Sequence, residues 1–461
     1  MRGPTAFLDP IHHLLGASVS SISRTSSPRR VAAAATIGTA LESYDFYVYS
    51  YFAAFFAGPF FFSALGDAGA QLAAFATIGI AFVVRPIGAV LFGHLGDRLG
   101  RRRTLILTVT LMGVATGLVG LLPTGTEWAA MSAVVLVLLR VVQGLSLGGE
   151  WGGAILLATE HADARRRPFF ASLPQLGSPI GSVAAGGLML ALFFGLGPEA
   201  VSAWGWRIPF LVAIPLIAVS LYLRASVDET PVFQALERRG ERERVPVVAA
   251  IVRQPAAFVV AILTALLGIG SYSLMNTYTM DYGAESLGFD PMQLLLAATI
   301  GGLLQFVTVP AFGWLATRIG SPTVVAIGAI GTLAIAFPMY WLLSSASFAF
   351  LVTMMLVGGV LPTASWAALG GTMSELFRGR HAYSALSMAY AVAAVVSGFI
   401  PLVTDALGEA TAGAWWHPGV VLAALSLATL VGALAARSMR KLGDEEADAA
   451  LAEPAREAVR V

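Results

Sequence analysis

Cysteine is absent from this 461-residue chain, which removes disulfides, thiolate metal sites and redox-active thiols. Lysine is nearly absent too: Lys441 is the single one, and Leu442 follows it. A phosphate loop of the form G-x-x-x-x-G-K-[ST] is therefore impossible, and a nucleotide-driven motor within the chain is excluded. Charge of either sign is scarce, at 12% of residues against 57% hydrophobic, about half the charged share of an ordinary soluble domain. The net charge of +1 gives no bulk imbalance that points to nucleic acid. His94, His161, His381 and His417 fall in or beside connections, and His12 and His13 lie near the start. They read as solvated polar groups with no metal-ligand spacing. No nucleophile with a base is visible either, so the chain is expected to be no enzyme and to hold no metal or cofactor.

What the chain has is long apolar blocks, each able to cross a hydrocarbon core with about 20 residues. Twelve are read, at roughly 31–55, 72–96, 104–122, 128–152, 169–195, 206–225, 250–280, 291–316, 322–343, 347–372, 381–404 and 415–437. The connections between them alternate in sign. Arg98 with Arg101 to Arg103, Arg165 to Arg167, Arg238 to Arg244, Arg318, Arg378 with Arg380, and Arg437 with Arg440 and Lys441 fall on one side. Asp67, Glu127, Glu199, Asp281, Glu285, Asp290, Asp405 and Glu409 fall on the other. Positive loops stay in the cytoplasm, so both termini are expected inside a cell membrane, as in a bacterial plasma membrane. Residues 1–30, Ser-rich with Arg24, Arg29 and Arg30, lack the apolar core of a leader and read as a disordered cytoplasmic tail. Residues 226–249 form a charged central connection between a six-helix set over 31–225 and another over 250–437, with a tail at 438–461. A weak repeat supports that division. Gly93-His94-Leu95-Gly96-Asp97-Arg98-Leu99-Gly100 is matched 220 residues later by Gly313-Trp314-Leu315-Ala316-Thr317-Arg318-Ile319-Gly320. Two related halves suit a rocking transporter with its site between them.

The loop G-H-L-G-D-R-L-G-R-R-R (93–103) resembles the signature of the major facilitator superfamily, in the position that fold requires. T-A-L-E-S-Y-D-F (39–46), R-P-I-G (85–88), R-V-V-Q-G-L-S-L-G-G-E-W-G-G (140–153), G-W-R-I-P-F (205–210) and D-E-T-P-V-F (228–233) narrow it. Together they resemble the metabolite:proton symporters, which carry osmolytes and small carboxylates such as proline, betaine, oxoglutarate, citrate and shikimate. The resemblance covers residues 31–437 and implies an all-α membrane protein of twelve helices in two pseudo-symmetric six-helix bundles. Ser43 departs from it, standing where the branch has Trp, and leaves the substrate open.

A charge at mid-bilayer costs at least about 2.5 to 3.5 kcal/mol on insertion scales, so each one asks for a function. Glu42 and Asp45 in the first span, Arg85 in the second and Arg140 in the fourth lie at similar depth. Burial opposes ionisation of an acid and a neighbouring guanidinium favours it, so a substrate that competes for the arginine can free the acid to take a proton. Asp45, Glu42 and Arg140 are thus the candidate proton-coupling residues. Arg85 and Arg140 are candidates for a substrate carboxylate, with Tyr44, Tyr47, Gln143, Asn276, Gln305, Trp366 and Tyr390 as further lining. Tyr44, Tyr47 and Trp366 could wall a quaternary ammonium, although aromatics at helical spacing are more often packing. The competing reading is a fixed network of all four charges that only pins the bundle.

At the basic end Gly93, Asp97, Arg98, Gly100, Arg101 and Arg102 read as a gate, with the glycines allowing a tight turn. Glu150, Glu160 with Arg166, and Glu375 with Arg380 read as its salt bridges. L-P-Q-L-G-S-P-I-G (173–181) resembles the Gly-Pro motif of the superfamily's antiporters, against which stands close helix packing with a Pro bend. The expectation is proton-coupled uptake of a small polar metabolite, a carboxylate or a zwitterionic osmolyte, by one chain alone. The alternative is proton-driven export of a drug or natural product.

Overall fold

The computed structural model describes residues 27–230, 233–234, 251–377 and 381–458. Most of the central connection, the first 26 residues and Arg380 lie outside them. Among the described residues eleven helices are long and apolar enough to cross a membrane, and α1 with the bent segment after it, Phe55–Leu65, makes a twelfth span; in order they are α1 (Pro28–Phe52), α2 (Gly66–Leu99), α3 (Arg101–Val119), α4 (Ala129–Glu160), α5 (Ala164–Leu196), α6 (Gly205–Ala225), α7 (Pro255–Ala284), α8 (Pro291–Ile319), α9 (Ser321–Leu343), α10 (Phe348–Leu376), α11 (Ala382–Ala410) and α12 (His417–Ala458). The protein is a multi-pass membrane protein, nearly all helical. α1 starts three residues before the expected boundary, where Ser27 accepts a hydrogen bond from the Arg30 N–H and Pro28 opens the first turn. α12 runs on to Ala458 rather than ending with its apolar block.

Several elements fall at repeat-equivalent places. Gly100 (φ +107°) and Gly320 (φ +89°) end α2 and α8 in the left-handed region, which glycine adopts without a Cβ clash. Widened π-helical turns start at Ala53 beyond α1 and at Ser273 within α7, again 220 residues apart. The chain bends by 63° past the first.

Packing divides the apolar residues by partner. One buried cluster gathers Val48, Phe52, Val119, Leu136, Trp206 and Phe210 from α1, α3, α4 and α6; another gathers Leu274, Met339, Tyr340, Met355 and Leu422 from α7, α9, α10 and α12. Large apolar side chains such as Leu72, Phe194 and Val307 are exposed, as lipid-facing positions must be. A third cluster crosses between the two sets: Trp151 and Ile155 of α4 pack with Leu369 and Met373 of α10 and Tyr383, Leu386 and Tyr390 of α11.

Candidate functional site

The two acids of α1 are three residues apart, yet they enter different surroundings. Asp45 turns into the first six helices. Its Oδ1 accepts hydrogen bonds from Thr116 Oγ1 of α3 (2.5 Å) and Gln143 Nε2 of α4 (2.7 Å), and its Oδ2 lies 3.8 Å from Arg140 Nη1. Arg140 is itself enclosed: Nη1 donates to Gln143 Oε1 (2.9 Å), Nε to the Thr77 carbonyl (3.4 Å), and its guanidinium lies 3.7 Å from the Tyr49 ring centroid. The Tyr49 and Thr77 hydroxyls are 2.5 Å apart. All these partners belong to α1 to α4, so Arg140, read from the sequence as a residue for the substrate, lies inside the first set of helices. The Thr116 hydroxyl also lies 2.8 Å from the Met112 carbonyl. Its one proton serves one acceptor at a time. Given to Asp45, it holds a carboxylate; given to Met112, it leaves Thr116 free to accept from a protonated Asp45.

Glu42 takes no part in that cluster. It is 8% exposed, and Arg85 of α2 is 7% exposed. They form no ion pair. Glu42 Oε2 and Arg85 Nε each lack a hydrogen-bond partner among the described residues. The Tyr390 ring of α11 lies flat on Trp151 (4.1 Å, 8°), whose Nε1 donates to Gln175 Oε1 (3.0 Å); Gln175 Nε2 in turn donates to the Trp366 carbonyl (3.0 Å). This layer lies toward the Arg-rich end. One helical turn the other way, Phe46 packs on Phe82 (5.8 Å) and Tyr47 on Tyr272 of α7 (5.7 Å). The Glu42–Arg85 pair thus sits between two aromatic layers that bridge the halves.

One further expectation about the lining fails. Tyr44 donates to the Pro209 carbonyl of α6 (2.7 Å) on the far side of α1, so it forms no wall with Tyr47 and Trp366. Gln305 is half-buried, and the Asn276 side chain lies outside the described residues.

The pair and the Asp45 cluster are joined through backbone. A Cβ on Gly144 would meet the Ala81 carbonyl oxygen at 2.5 Å, one on Gly148 the Arg85 oxygen at 2.2 Å, and one on Gly88 the Leu145 oxygen at 2.0 Å. α2, which carries Arg85, and α4, which carries Arg140, touch main chain to main chain.

At the Arg-rich end Asp97 of α2 caps α11. Its Oδ1 accepts from the Tyr383 N–H (3.3 Å), and its Oδ2 from the Ser384 N–H (3.0 Å) and Oγ (2.7 Å). Helix N-termini leave such donors unsatisfied and favour an anion. Gly93 makes no turn, contrary to expectation; it and Gly96 let α11 approach, since a Cβ there would meet Ser384 Cα at 2.8 Å and the Tyr383 ring at 2.4 Å. Gly100 makes the turn. Arg101, fully buried, lies 3.8 Å from Asp97 and 3.5 Å from Glu160, while Arg166 and Arg98 are exposed. Glu160 therefore pairs with Arg101 rather than with Arg166. Arg102 donates to the carbonyls of Arg224 and Ala225 (3.2 and 2.5 Å). Glu150 forms a bidentate pair with Arg224 of α6 and accepts from Thr108 (2.8 Å), inside the first set and not across the halves. Glu375 is half-buried near the end of α10.

Residues 36–401 match the sequence profile of the Major Facilitator Superfamily. The chain belongs to that superfamily. Within the superfamily it is 35% identical to the shikimate transporter of Escherichia coli K12 over 414 residues, 89% of this chain and 94% of that one. It is 31% identical to the proline/betaine transporter of Salmonella typhimurium LT2 over 395 residues, 83% of this chain and 78% of that one. The fold superposes on the superfamily's proton:xylose symporter XylE with a TM-score of 0.70 at 20% identity, covering 90% of this chain and 96% of that one. The protein is a major facilitator transporter and not an enzyme.

The superfamily signature also involves residues that were not singled out from sequence. Glu229, in the D-E-T-P segment, accepts from the N–H groups of Arg101 (3.0 Å) and Arg102 (3.2 Å) at the start of α3. It lies outside the spans, and burial pushes its carboxyl above the ordinary value, against the pull of these N–H groups and of Arg101. Thr116, Gln175 and Arg224 were missed because a lone Thr, a Gln in a Gly-Pro run and an Arg at a span end carry no distinguishing signal. His417 is a correction: it is 1% exposed, with Nε2 2.5 Å from the Tyr278 hydroxyl and Nδ1 2.6 Å from the Ala414 carbonyl. His381 is buried as well.

Proposed function

We propose that this transporter takes up a small polar metabolite together with a proton, with Asp45 as the proton site and Arg85 as the residue that takes the substrate carboxylate. One observation carries the reading: Asp45 is held by a guanidinium and two neutral donors, and Thr116 is placed to satisfy it in either protonation state. Arg140 steadies the ionised form and releases it when α4 shifts. Because α4 is pressed against α2 through Gly144 and Gly148, substrate seated on Arg85 moves Arg140 and so changes the hold on Asp45.

Alternating access then follows from two six-helix units, 31–225 and 250–437, rocking about the Glu42–Arg85 level. The Arg-rich face is the cytoplasmic one, with both termini inside, by the sign of its loops. Asp97 on α11, with Arg101 and Glu160 behind it, forms the cytoplasmic gate, and one chain holds the whole pathway. Export has less support. In the segment that resembles the antiporter motif, Gly177 and Gly181 serve close packing, since Cβ atoms there would meet the Ala40 and Tyr44 nitrogens at 2.5 Å.

Purified protein in liposomes loaded with a pH-sensitive dye tests the reading. Shikimate, proline, betaine and succinate are added in turn. Inward proton movement with one of them, lost in Asp45→Asn while exchange of that compound persists, is the expected result. Discharge of an imposed proton gradient by apolar cations alone would instead favour export.

A further inference from the structure

Arg140 reaches Asp45 by hydrogen bonds through a third side chain. Its Nη1 lies 3.8 Å from Asp45 Oδ2, too far for a hydrogen bond, and 2.9 Å from Gln143 Oε1. Gln143 Nε2 lies 2.7 Å from Asp45 Oδ1 and 3.1 Å from Thr116 Oγ1. An arginine only donates hydrogen bonds, so the amide must turn its oxygen to Arg140 and its NH2 to Asp45 and Thr116. Gln143, read from the sequence as substrate lining, is fully buried, and these partners all belong to α1, α3 and α4. The main chain next to it is pinned as well, since a Cβ on Gly144 would meet the Ala81 oxygen at 2.5 Å.

Hydrogen bonds in such a chain polarise one another. Arg140 draws electron density to Oε1 and makes the Nε2 protons better donors to an ionised Asp45. The ionised acid in turn makes Oε1 a better acceptor for Arg140. A proton on Asp45 removes the charged acceptor, and the chain then slackens at Arg140. We propose that Gln143 is the positioning residue through which Arg140 sets the proton affinity of Asp45 and through which a proton on Asp45 is felt by Arg140. This rests on the reading above that Asp45 is the proton site. The coupling is reciprocal: a displaced Arg140 favours the protonated acid by the same factor by which the proton favours displacement. Few other charges bear on the chain of bonds. Tyr49 lies under Arg140, Tyr44 and Glu42 flank Asp45 on α1, and Arg85 of α2 is the next cation. α3 and α6 line the cavity beside Asp45 with Met112, Thr116, Ala213 and Ile217, which do not titrate.

The test needs no substrate, because the probe is the proton. Infrared difference spectra of the full chain in lipid are taken across a pH titration. The carboxyl band of protonated Asp45 is the one that Asp45→Asn removes, and its midpoint pH is the readout. Gln143→Met should raise that midpoint by about 1 to 2 pH units, the loss of a hydrogen bond to a charged group. Arg140→Gln should raise it too, and in the double variant the two shifts should fall short of their sum by about one unit. With glutamine labelled in its side chain, an amide band absent from Gln143→Met should move in step with the Asp45 midpoint of the wild type. Additive shifts, an unmoved midpoint in Gln143→Met, or an amide band that ignores the titration overturns this inference and leaves Asp45 as the proton site. The labelled wild type decides even where Arg140→Gln fails to fold. A titration without any band that Asp45→Asn removes overturns the proton site and this inference with it.

Discussion

Asp45 and Glu42 are three residues apart on α1, yet one is saturated with partners and the other is not. Asp45 has an arginine, a threonine and a glutamine, all from its own half. Glu42 keeps Oε2 without a hydrogen-bond partner among the described residues, as Arg85 keeps Nε. The first arrangement suits a site that must hold or lose a proton while staying sealed. The second suits one completed by something that arrives between the halves. The difference teaches that charge in a membrane span is divided by partner rather than by depth.

That comparison can be broken most severely at Asp45. Asp45→Asn should abolish uphill uptake altogether while exchange of substrate across the membrane continues; accumulation at the wild-type level would remove the distinction between the acids. Arg85→Gln should raise KM for any carboxylate substrate about 10- to 100-fold by stranding Glu42 and removing a charged hydrogen bond, measured as competition in the exchange assay. A smaller effect is expected from Thr116→Val, which takes away the hydroxyl that serves both states of Asp45. It should cost about 1 to 3 kcal/mol in thermal stability and displace the pH dependence of uptake, whereas Thr110→Val, beyond reach of Asp45, should displace neither. At the gate, Asp97→Asn keeps only one acceptor for α11, turns an NH2 on the donors that met the other oxygen, and loses the charge that the helix end favours, the charge alone being about 0.3 to 1 kcal/mol. Accessibility of a single introduced thiol on either face should move by at least about twofold.

The smallest effect belongs to Glu229. Its folded carboxyl is raised above the ordinary 4.5, so the protonated form is the one the fold favours. Its contribution is fully present below that ordinary value and is lost as pH rises through the raised one. Glu229→Gln should flatten this slope in a thermal melt, within about 1 kcal/mol.

Much of this was legible beforehand because membranes allow few solutions. Twelve apolar blocks gave the helices, and the signature loop marked Asp97 as a gate residue at a helix end. The 220-residue offset matched Gly320 to Gly100, while the two π-helical turns at the same offset carry no signal in the sequence. What was not legible was direction around each helix. Asp45 and Glu42 were predicted to share a face, and nothing in their spacing says that Gln143 and Thr116 wait for one of them alone. Tyr44 was placed in the cavity when its hydroxyl reaches Pro209, and His417 was left to solvent when Tyr278 covers it. Gly93 looked like a turn residue; only the α11 backbone beside it shows that it is there for closeness. Neutral partners stay invisible in a sequence until the element opposite is known.

The main-chain contact between α2 and α4 has a consequence for how this protein can change. Positions 88, 144 and 148 have no volume to give, since even a methyl group would strike a carbonyl oxygen across the seam. The side chains around Glu42, by contrast, meet aromatic rings that can turn. A full substitution scan should therefore show a fixed stripe every fourth residue down α4, beside positions free to vary. New substrates would be reached by altering what lines the site, and the linkage to the proton would be inherited unchanged.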